Sequence, residues 1–433
     1  MPRDLLRFAT AGSVDDGKST LVGRLLYDTK SVLADQIEAV QRASVDKGLS
    51  TPDLSLLVDG LRAEREQGIT IDVAYRYFGT PTREFVLADT PGHVQYTRNT
   101  VTGASTAELA VLLVDARNGI VEQTRRHATV LALLKVPRLV LAINKIDLVE
   151  YDEGLLRAIE KEFTGLAKSL GFPEDAVQTI PLSALVGDNV VERSARTPWY
   201  DGPTLLGHLE SVPVVVPEVT APFRMPVQYV IRPRSSADAD ASRWGELHDY
   251  RGYAGQVASG VVRPGDQVVV LPEGRTTTVT HVDTADGPLE SAAAGLSVTI
   301  RLADDIDLSR GDMLVAADAQ PTVTSEIDAT LCWLGDKPLR PNARLLLKHG
   351  TRTTQAIVGA PDCRIDTDTL TEVDAETLSL NDIGRVTIRT ADPLPVDEYA
   401  DIRATGSFLL IDPPTGNTLA AGLVGTPLSL TTA

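Results

Sequence analysis

The stretch that most constrains the fold is residues 12–19, which read GSVDDGKS in a chain of 433 residues. It fits the pattern GxxxxGKS, follows a short apolar run at residues 5–11 and opens a helical pattern at residues 18–27. A strand, a glycine-rich loop and a helix in this order let backbone N–H groups converge on a phosphate. A turn that matches by chance is the alternative, and the flanking strand and helix make it uncommon. We therefore predict that the loop binds a nucleoside triphosphate.

The residues of this loop have separate chemical tasks. The Lys18 ammonium is a point charge for the β- and γ-phosphates, and the Ser19 hydroxyl can be a ligand of Mg²⁺. The residues that we expect to contact the nucleotide here are Gly12, Ser13, Val14, Asp15, Asp16, Gly17, Lys18, Ser19 and Thr20.

The composition disfavours several functional classes. A net charge of −18 argues against a broad surface for polyanions, so nucleic acid is an unlikely partner. No run approaches the ~18 apolar residues that a membrane span needs, and no secretory signal is recognisable. Cys332 and Cys363 lie far apart without metal-ligand spacing, so we expect two reduced core thiols. The expected location is the cytoplasm.

From about residue 5 to residue 209, apolar runs of strand length alternate with helical patterns. The strand candidates are residues 5–11, 72–78, 84–89, 109–115, 139–143 and 178–182. The main helix candidates between them are residues 18–27, 32–43, 123–134 and 154–170. This alternation predicts an α/β domain with a doubly wound, mostly parallel sheet, whose ligand binds at the carboxyl ends of the strands.

A proline-rich segment at residues 211–223 predicts an extended connector and the main domain boundary. Beyond it, short β-rich runs are separated by turn sequences, and long helical patterns are absent. We predict a nucleotide domain over residues 1–212 and two all-β barrel domains over residues 222–318 and 325–433. Residues 234–249 are small, polar and acidic, and we expect a solvated surface loop there.

The sequence DTPG at the end of a predicted strand suggests a second phosphate element. The Asp89 carboxylate can hold Mg²⁺ directly or through its water shell, and the Gly92 amide can approach the γ-phosphate. A strand that ends in Asp is common, and a plain turn is the alternative. Beside the phosphate loop, however, the nucleotide-binding interpretation is favoured.

The sequence NKID, which contains Asn144, Lys145 and Asp147, indicates which base is bound. The Asp147 carboxylate can accept hydrogen bonds from N1–H and the 2-amino group of guanine, two donors that adenine lacks, and the Lys145 stem can lie along the base. Ser183 and Ala184, at the end of the last predicted strand, can add a backbone N–H toward guanine O6. Because NKID follows two phosphate elements at strand ends, the predicted nucleotide is GTP.

Two further residues are candidates for catalysis. Thr70, in the stretch EREQGITID, can give Mg²⁺ a second hydroxyl when γ-phosphate is present, so its loop would order with GTP and loosen after hydrolysis. His93 can orient the attacking water. The alternatives are an ordinary strand-entry residue and a surface histidine. The predicted catalytic residues are thus Lys18, Thr70 and His93, and the predicted Mg²⁺ ligands are Ser19, Thr70 and Asp89.

Together GKST, GITID, DTPGH and NKID resemble the translation-factor class of GTPases, which also has two β domains behind its nucleotide domain. Within that class the chain is similar to the GTPase-subunit family of bacterial sulfate adenylyltransferase, also called ATP sulfurylase. The similarity extends over essentially the whole chain and includes SVDDGKSTLVGRLLYDTKSVL, DYRGYAGQVASGVVRPGD and GSFLLIDPPTGNTLAAGLV. Elongation factors typically have His at the position of Asp16.

The resemblance implies that a separate catalytic small subunit forms adenosine 5′-phosphosulfate and pyrophosphate from ATP and sulfate. It implies that GTP hydrolysis in the large subunit drives this first step of sulfate activation, in a heterodimer or a higher assembly of it. A fused adenylylsulfate kinase is expected to be absent, since no second GxxxxGK follows. The alternatives are an elongation factor-like GTPase that delivers aminoacyl-tRNA and a signalling GTPase without coupled chemistry.

Overall fold

The computed structural model describes residues 4–46, 52–58, 73–92, 97–214, 217–232, 250–367 and 369–428. The chain divides into two compact units. The first unit is Met1–Val215 with Thr367–Thr371 and Leu428–Thr432, and the second is Val216–Asp366 with Glu372–Pro427 and Ala433.

The first unit has the α/β architecture that the sequence predicts. Its strands within the described ranges are β1 Asp4–Gly12, β2 Ala74–Gly79, β3 Arg83–Asp89, β4 Leu109–Asp115, β5 Leu139–Asn144 and β6 Val177–Pro181. Its α-helices in the same ranges are α1 Lys18–Asp28, α2 Ala34–Asp46, α3 Thr97–Ala104, α4 Glu122–Leu133, α5 Glu153–Ser169 and α6 Leu205–Ser211. The predicted strands and helices are confirmed, with ends that shift by up to three residues.

The sheet of the first unit has the strand order β2-β3-β1-β4-β5-β6 and is parallel except for β2, which runs antiparallel to β3. The central strands β4 and β5 are buried along their whole length, as expected for a parallel sheet covered on both faces. The register pairs Thr10 with Asp89 and Asp115 with Asn144. The strand ends that carry the predicted motifs therefore lie at one edge of the sheet.

The second unit is built from antiparallel strands and begins with a short helix, α7 Pro217–Thr220. The strands of its first half, within the described residues, are β7 Arg224–Pro226, β8 Tyr229–Ile231, β9 Gly252–Gln256, β10 Val261–Val262, β11 Gln267–Leu271, β12 Arg275–Thr284, β13 Gly287–Pro288, β14 Ala292–Ala293, β15 Ser297–Leu302 and β16 Met313–Ala316. An eight-stranded sheet orders these as β7-β16-β11-β12-β15-β9-β8, with β13 beside β12, while β10 pairs with β14. One apolar core takes side chains from almost all of them, as in a barrel.

The strands of its second half, again within the described residues, are β17 Thr322–Trp333, β18 Ala343–His349, β19 Arg352–Asp366, β20 Thr371–Val373, β21 Ile383–Val396, β22 Ser407–Ile411 and β23 Thr418–Val424. The order is β18-β22-β23-β17-β21-β19-β20, and an additional pairing of β18 with β19 closes the sheet into a barrel. The predicted architecture, an α/β domain with a mostly parallel sheet followed by all-β barrels, is confirmed. The three-domain boundaries at residues 1–212, 222–318 and 325–433 stay a prediction.

Several sequence predictions fall on residues that the structure does not describe. Thr70 lies in the gap at 59–72, His93 in the gap at 93–96, and the predicted surface loop at 234–249 in the gap at 233–249.

Cys332 and Cys363 are free and buried. Among the described residues, no helix is both long and apolar enough to cross a membrane.

Candidate nucleotide site

The predicted phosphate loop leaves the end of β1 and turns sharply into α1. Gly17 caps the N-terminus of α1 with φ 93°, a conformation that favours glycine, and a Cβ there would lie 2.5 Å from the Asn144 side-chain nitrogen. The Ser13 N–H donates to Asp16 Oδ2 at 2.6 Å, which closes the turn from within. Gly12, with φ 149°, also lies in the region that favours glycine, so the two glycines of the GxxxxGKS pattern help the backbone turn from β1 into α1.

Asp16 is predicted to contact the nucleotide, and the structure directs its carboxylate into the loop itself. It is 4% exposed, and burial raises its pKa, although the Lys18 ammonium and the Ser13 N–H act in the opposite direction. Its carbonyl oxygen accepts a hydrogen bond from Asn144 Nδ2 at 2.7 Å. Asp16 therefore holds the shape of the loop.

Lys18 lies at the centre of the site, buried among carbonyl groups and carboxylates. Its Nζ donates to the carbonyl oxygens of Gly12 at 2.8 Å and Ser13 at 2.7 Å. Burial lowers its pKa, while Asp16 and Asp89 oppose that shift. A Cβ at Gly92 would lie 2.5 Å from this Nζ and 2.8 Å from the Gly12 oxygen. The DTPG turn thus approaches the loop so closely that glycine is required at residue 92.

The predicted Mg²⁺ ligands come from adjacent strands. Asp89 ends β3, is fully buried, and accepts a hydrogen bond from Thr10 Oγ1 at 2.7 Å. Ser19 lies in the first turn of α1, half-buried. A hydroxyl and a carboxylate are hard oxygen donors, and Mg²⁺ is commonly held by one or two such groups together with phosphates. The donor set fits Mg²⁺, and the third predicted ligand, Thr70, lies outside the described residues.

Asn144 joins three parts of the site through its buried amide. Nδ2 donates to the Asp16 carbonyl, while Oδ1 accepts from Lys145 N at 2.8 Å and from Ala184 N at 2.9 Å. The phosphate loop, the NKID loop and the loop after β6 therefore share one side chain. Ser183 N donates to Asp188 O at 3.1 Å. The backbone N–H groups of Ser183 and Ala184, from which one was predicted to face guanine O6, therefore both have partners within the protein.

Lys145 and Asp147 frame the place predicted for the base. Lys145 Nζ contacts the Asp15 carbonyl and donates to Asp115 Oδ2 at 2.9 Å, so its stem crosses from the NKID loop to the phosphate loop. The Asp147 side chain contains a buried oxygen, Oδ1, to which no group of the described residues donates a hydrogen bond. A buried carboxylate oxygen without a donor is costly, and a ligand with N–H groups would satisfy it.

Asp115, at the end of β4, belongs to the candidate site, and the sequence analysis missed it. It accepts hydrogen bonds from Lys145 and from the backbone and side chain of Arg117, two of them at 2.6 and 3.0 Å from the guanidinium. Burial raises its pKa, but these hydrogen bonds outweigh burial and hold it below its usual range. The sequence did contain a signal for Asp115, because this residue ends a predicted strand on the same edge of the sheet as Asp89 and Asn144.

His127 on α4 was also missed, and the sequence holds no signal for it. Its ring lies 3.2 Å from Gln123 Nε2, which donates to the Gly92 carbonyl at 3.3 Å. Burial lowers its pKa to about 3, and Lys18 and Arg126 act in the same direction. A neutral imidazole therefore packs beneath the phosphate loop at neutral pH.

Comparison with known proteins gives the family of this chain. A model described as Elongation factor Tu GTP binding domain matches residues 3–221, and one described as GTP-eEF1A C-terminal domain-like matches residues 326–425. Sulfate adenylyltransferase subunit 1 of Methylorubrum populi is 51% identical over 433 residues, which are 100% of this chain and 89% of the relative. The chain belongs to the sulfate adenylyltransferase subunit 1 family.

Other relatives of the sulfate adenylyltransferase subunit 1 family agree. Sulfate adenylyltransferase subunit 1 of Tolumonas auensis is 48% identical over 98% of this chain and 87% of its own length. Bifunctional enzyme CysN/CysC of Mycobacterium tuberculosis H37Rv is 54% identical over 97% of this chain and 67% of its own length. The family resemblance seen in the motifs is confirmed, and the first unit contains a GTP-binding domain.

Proposed function

We propose that this chain is the GTPase subunit of a sulfate adenylyltransferase. GTP hydrolysis here drives a catalytic small subunit to form adenosine 5′-phosphosulfate and pyrophosphate from ATP and sulfate. The observation that carries the proposal is the buried Asp147 oxygen without a donor among the described residues, at the sheet edge that also holds Lys18. Guanine offers that oxygen N1–H and a 2-amino group, and adenine offers neither.

The first step of the proposed mechanism is the binding of the triphosphate. Lys18 and the loop amides of residues 12–19 stabilise the phosphate charges, and the Gly92 amide senses the γ-phosphate. Ser19, Thr70 and Asp89 would hold Mg²⁺, which would supply positive charge to stabilise the phosphate oxygens. His93 orients the attacking water.

The partner is the catalytic small subunit, because relatives of this chain are named as subunit 1 of the enzyme. The sulfuric–phosphoric anhydride that the small subunit forms is higher in energy than the anhydride it breaks, so the reaction needs an outside source of free energy. GTP supplies it only if the nucleotide state changes the partner's affinity or conformation. We place the heterodimer, or a higher assembly of it, in the cytoplasm, where both nucleotides are available.

A coupled assay tests the proposal, together with a variant designed to prefer xanthine over guanine. The chain is mixed with a candidate small subunit, ATP, sulfate and GTP, and adenosine phosphosulfate and GDP are followed together. In Asp147→Asn, an amide that donates to the 2-oxygen of xanthine replaces the carboxylate that accepts from guanine. We expect stimulation by GTP in the parent and by xanthosine triphosphate in the variant.

The outcomes separate the competing functions. If neither subunit stimulates the other, and aminoacyl-tRNA instead stimulates GTP hydrolysis, the chain is an elongation factor-like GTPase. If GTP is hydrolysed at a rate that neither partner changes, coupling is absent. A variant that keeps full GTP stimulation would remove Asp147 from base recognition while leaving the coupling intact.

A further inference from the structure

The loop that carries Asp147 contains three residues with left-handed backbone, one before and two after a short 3-10 helix. Lys145, Glu150 and Tyr151 all have positive φ, of 62°, 53° and 59°. Such a conformation is uncommon for any residue with a Cβ and rare for a bulky one such as Tyr151. It persists only where surrounding contacts hold it, and it clusters at functional sites.

The contacts that hold Tyr151 come from the loop after β6. The Tyr151 hydroxyl donates to Asp188 Oδ2 at 2.8 Å and accepts from an Arg196 guanidinium nitrogen at 2.7 Å. The same guanidinium lies 5.6 Å from the centre of the Tyr151 ring and 3.5 Å from Asp188 Oδ2. We call Tyr151, Asp188 and Arg196 the loop clamp.

The loop on the far side of the clamp is itself well anchored. Asn189 is 1% exposed, and its amide donates to Pro181 O at 2.8 Å and Thr197 Oγ1 at 3.0 Å. Its Oδ1 accepts from Ser194 N at 2.8 Å. The clamp therefore ties the strained loop to a fixed support at the end of β6.

Both loops border the place predicted for the base. The clamp connects Asp188, whose carbonyl accepts from Ser183 N, to Tyr151, four residues after Asp147. The Asp147 carboxylate also interacts electrostatically with Arg196. The pKa of Arg196 is raised mainly by the hydrogen bond to Tyr151, and the charges of Asp188 and Asp147 raise it further. Movement of the loop at Tyr151 would carry Asp147 with it.

We propose that the loop clamp is a positioning device for specificity: it holds the Asp147 carboxylate where it distinguishes guanine from bases that lack a 2-amino group. This inference rests on the proposed GTP site and names residues outside its motifs. Tyr151, Asp188 and Arg196 do not themselves touch the nucleotide; they act through Asp147. A hydrogen bond to a charged group tolerates little displacement, so a small shift of the carboxylate weakens discrimination.

The test compares the dissociation constants of GDP and IDP, since inosine keeps N1–H and lacks the 2-amino group. In the parent we expect IDP to bind about 10- to 100-fold more weakly, the usual value of one hydrogen bond to a charged partner. In Tyr151→Phe and Arg196→Ala the GDP constant rises more than the IDP constant, because GDP loses two well-placed bonds and IDP loses one. The ratio of the two constants should fall at least about threefold.

Arg193→Ala is the matched control, because Arg193 lies in the same loop and its side chain has the same 57% exposure as Arg196. It contacts the Tyr200 carbonyl and lies 3.7 Å from Asp201, away from the clamp, so the ratio should not change. If the clamp variants keep the parent ratio of the IDP and GDP dissociation constants, or weaken the binding of both nucleotides equally, the clamp only connects the two loops and does not position Asp147 for specificity. If the parent itself does not discriminate, the proposed GTP site fails as well. Tyr151→Phe removes one oxygen only, so folding does not obscure the result.

Discussion

Replacing Gly92 by Ala tests whether the DTPG turn senses the γ-phosphate. The added Cβ would lie 2.8 Å from the Gly12 carbonyl oxygen and 2.9 Å from the Ser13 carbonyl carbon. Contacts under 3.0 Å are not tolerated, and both atoms are backbone, so either the turn or the phosphate loop must move. The third close atom, Lys18 Nζ at 2.5 Å, ends a flexible side chain and can move more cheaply.

The expected effect is larger for triphosphate than for diphosphate. A displacement of several tenths of an ångström costs about 1–3 kcal/mol when it overpacks a closed site. If the Gly92 amide meets the γ-phosphate, a non-hydrolysable GTP analogue loses about tenfold in affinity, which corresponds to ~1.4 kcal/mol. GDP, held by the loop at residues 12–19, should lose less. Hydrolysis should slow by about 10²-fold, because misplacement near the reacting atoms has effects of that size.

Fluorescent nucleotide titration and single-turnover hydrolysis measure these quantities. Gly165→Ala is the control: this glycine is exposed on α5, a Cβ there meets nothing within 4 Å, and the change should raise stability by about 0.5–1 kcal/mol. If Gly92→Ala binds both nucleotides and hydrolyses GTP within twofold of the parent, the close approach has no role in sensing. If both affinities fall equally, the turn supports the loop without distinguishing the γ-phosphate.

Three further predictions use the same assays and urea unfolding. Asn144→Ala leaves the Asp16 carbonyl and the Ala184 N–H without their partner, which should lower the free energy of unfolding by about 1–3 kcal/mol for each and accelerate GDP release. The control, Asn417→Ala at an exposed position, should change neither the stability nor the rate of GDP release. The pKa of His127 is about 3 in the folded chain and 6.5 in the unfolded chain, so as the pH falls below ~6.5 only the unfolded chain gains a proton there. Between pH 6 and 4 the free energy of unfolding of the parent should therefore fall by up to about 1.4 kcal/mol per pH unit more than that of His127→Gln. Parallel curves of unfolding free energy against pH would contradict this. His93→Ala should keep GTP affinity and slow hydrolysis by about 10²-fold, and an unchanged rate in the complex would exclude it from orienting water.

The secondary structure of the first unit follows from local patterns. The runs that form β4 and β5 are almost wholly apolar, which suits strands buried on both faces, and their ends differ from prediction by at most one residue. Ends of helices were less accurate, since α2 begins at Ala34 and extends to Asp46, where the sequence predicts residues 32–43. Helix ends depend on capping contacts and packing, which the periodicity of a helix does not encode.

The motifs located most of the candidate site because each one ends a parallel strand. Strand ends of the same sense meet at one edge, so the sequence predicts that Lys18, Asp89 and Asn144 lie together. The rule also applies to Asp115, whose role as partner of Lys145 depends on the position of β4 between β1 and β5. His127 could not have been found this way, since a lone histidine on a helix face is ordinary core composition.

The sequence alone therefore determined the kind of chain: the strand–loop–helix order, the phosphate loop, the choice of guanine and the family. These features depend on residues that are close in sequence: they are set by the conformational freedom of the backbone at glycine and by the hydrogen-bond donors and acceptors of each side chain. Only the tertiary structure decided which distant groups meet. The Asn144 amide joins Asp16 and Ala184, and Tyr151 meets Arg196, because strand register and loop conformation bring them within hydrogen-bonding distance. Such contacts depend on geometry accumulated over many residues, which no local pattern specifies.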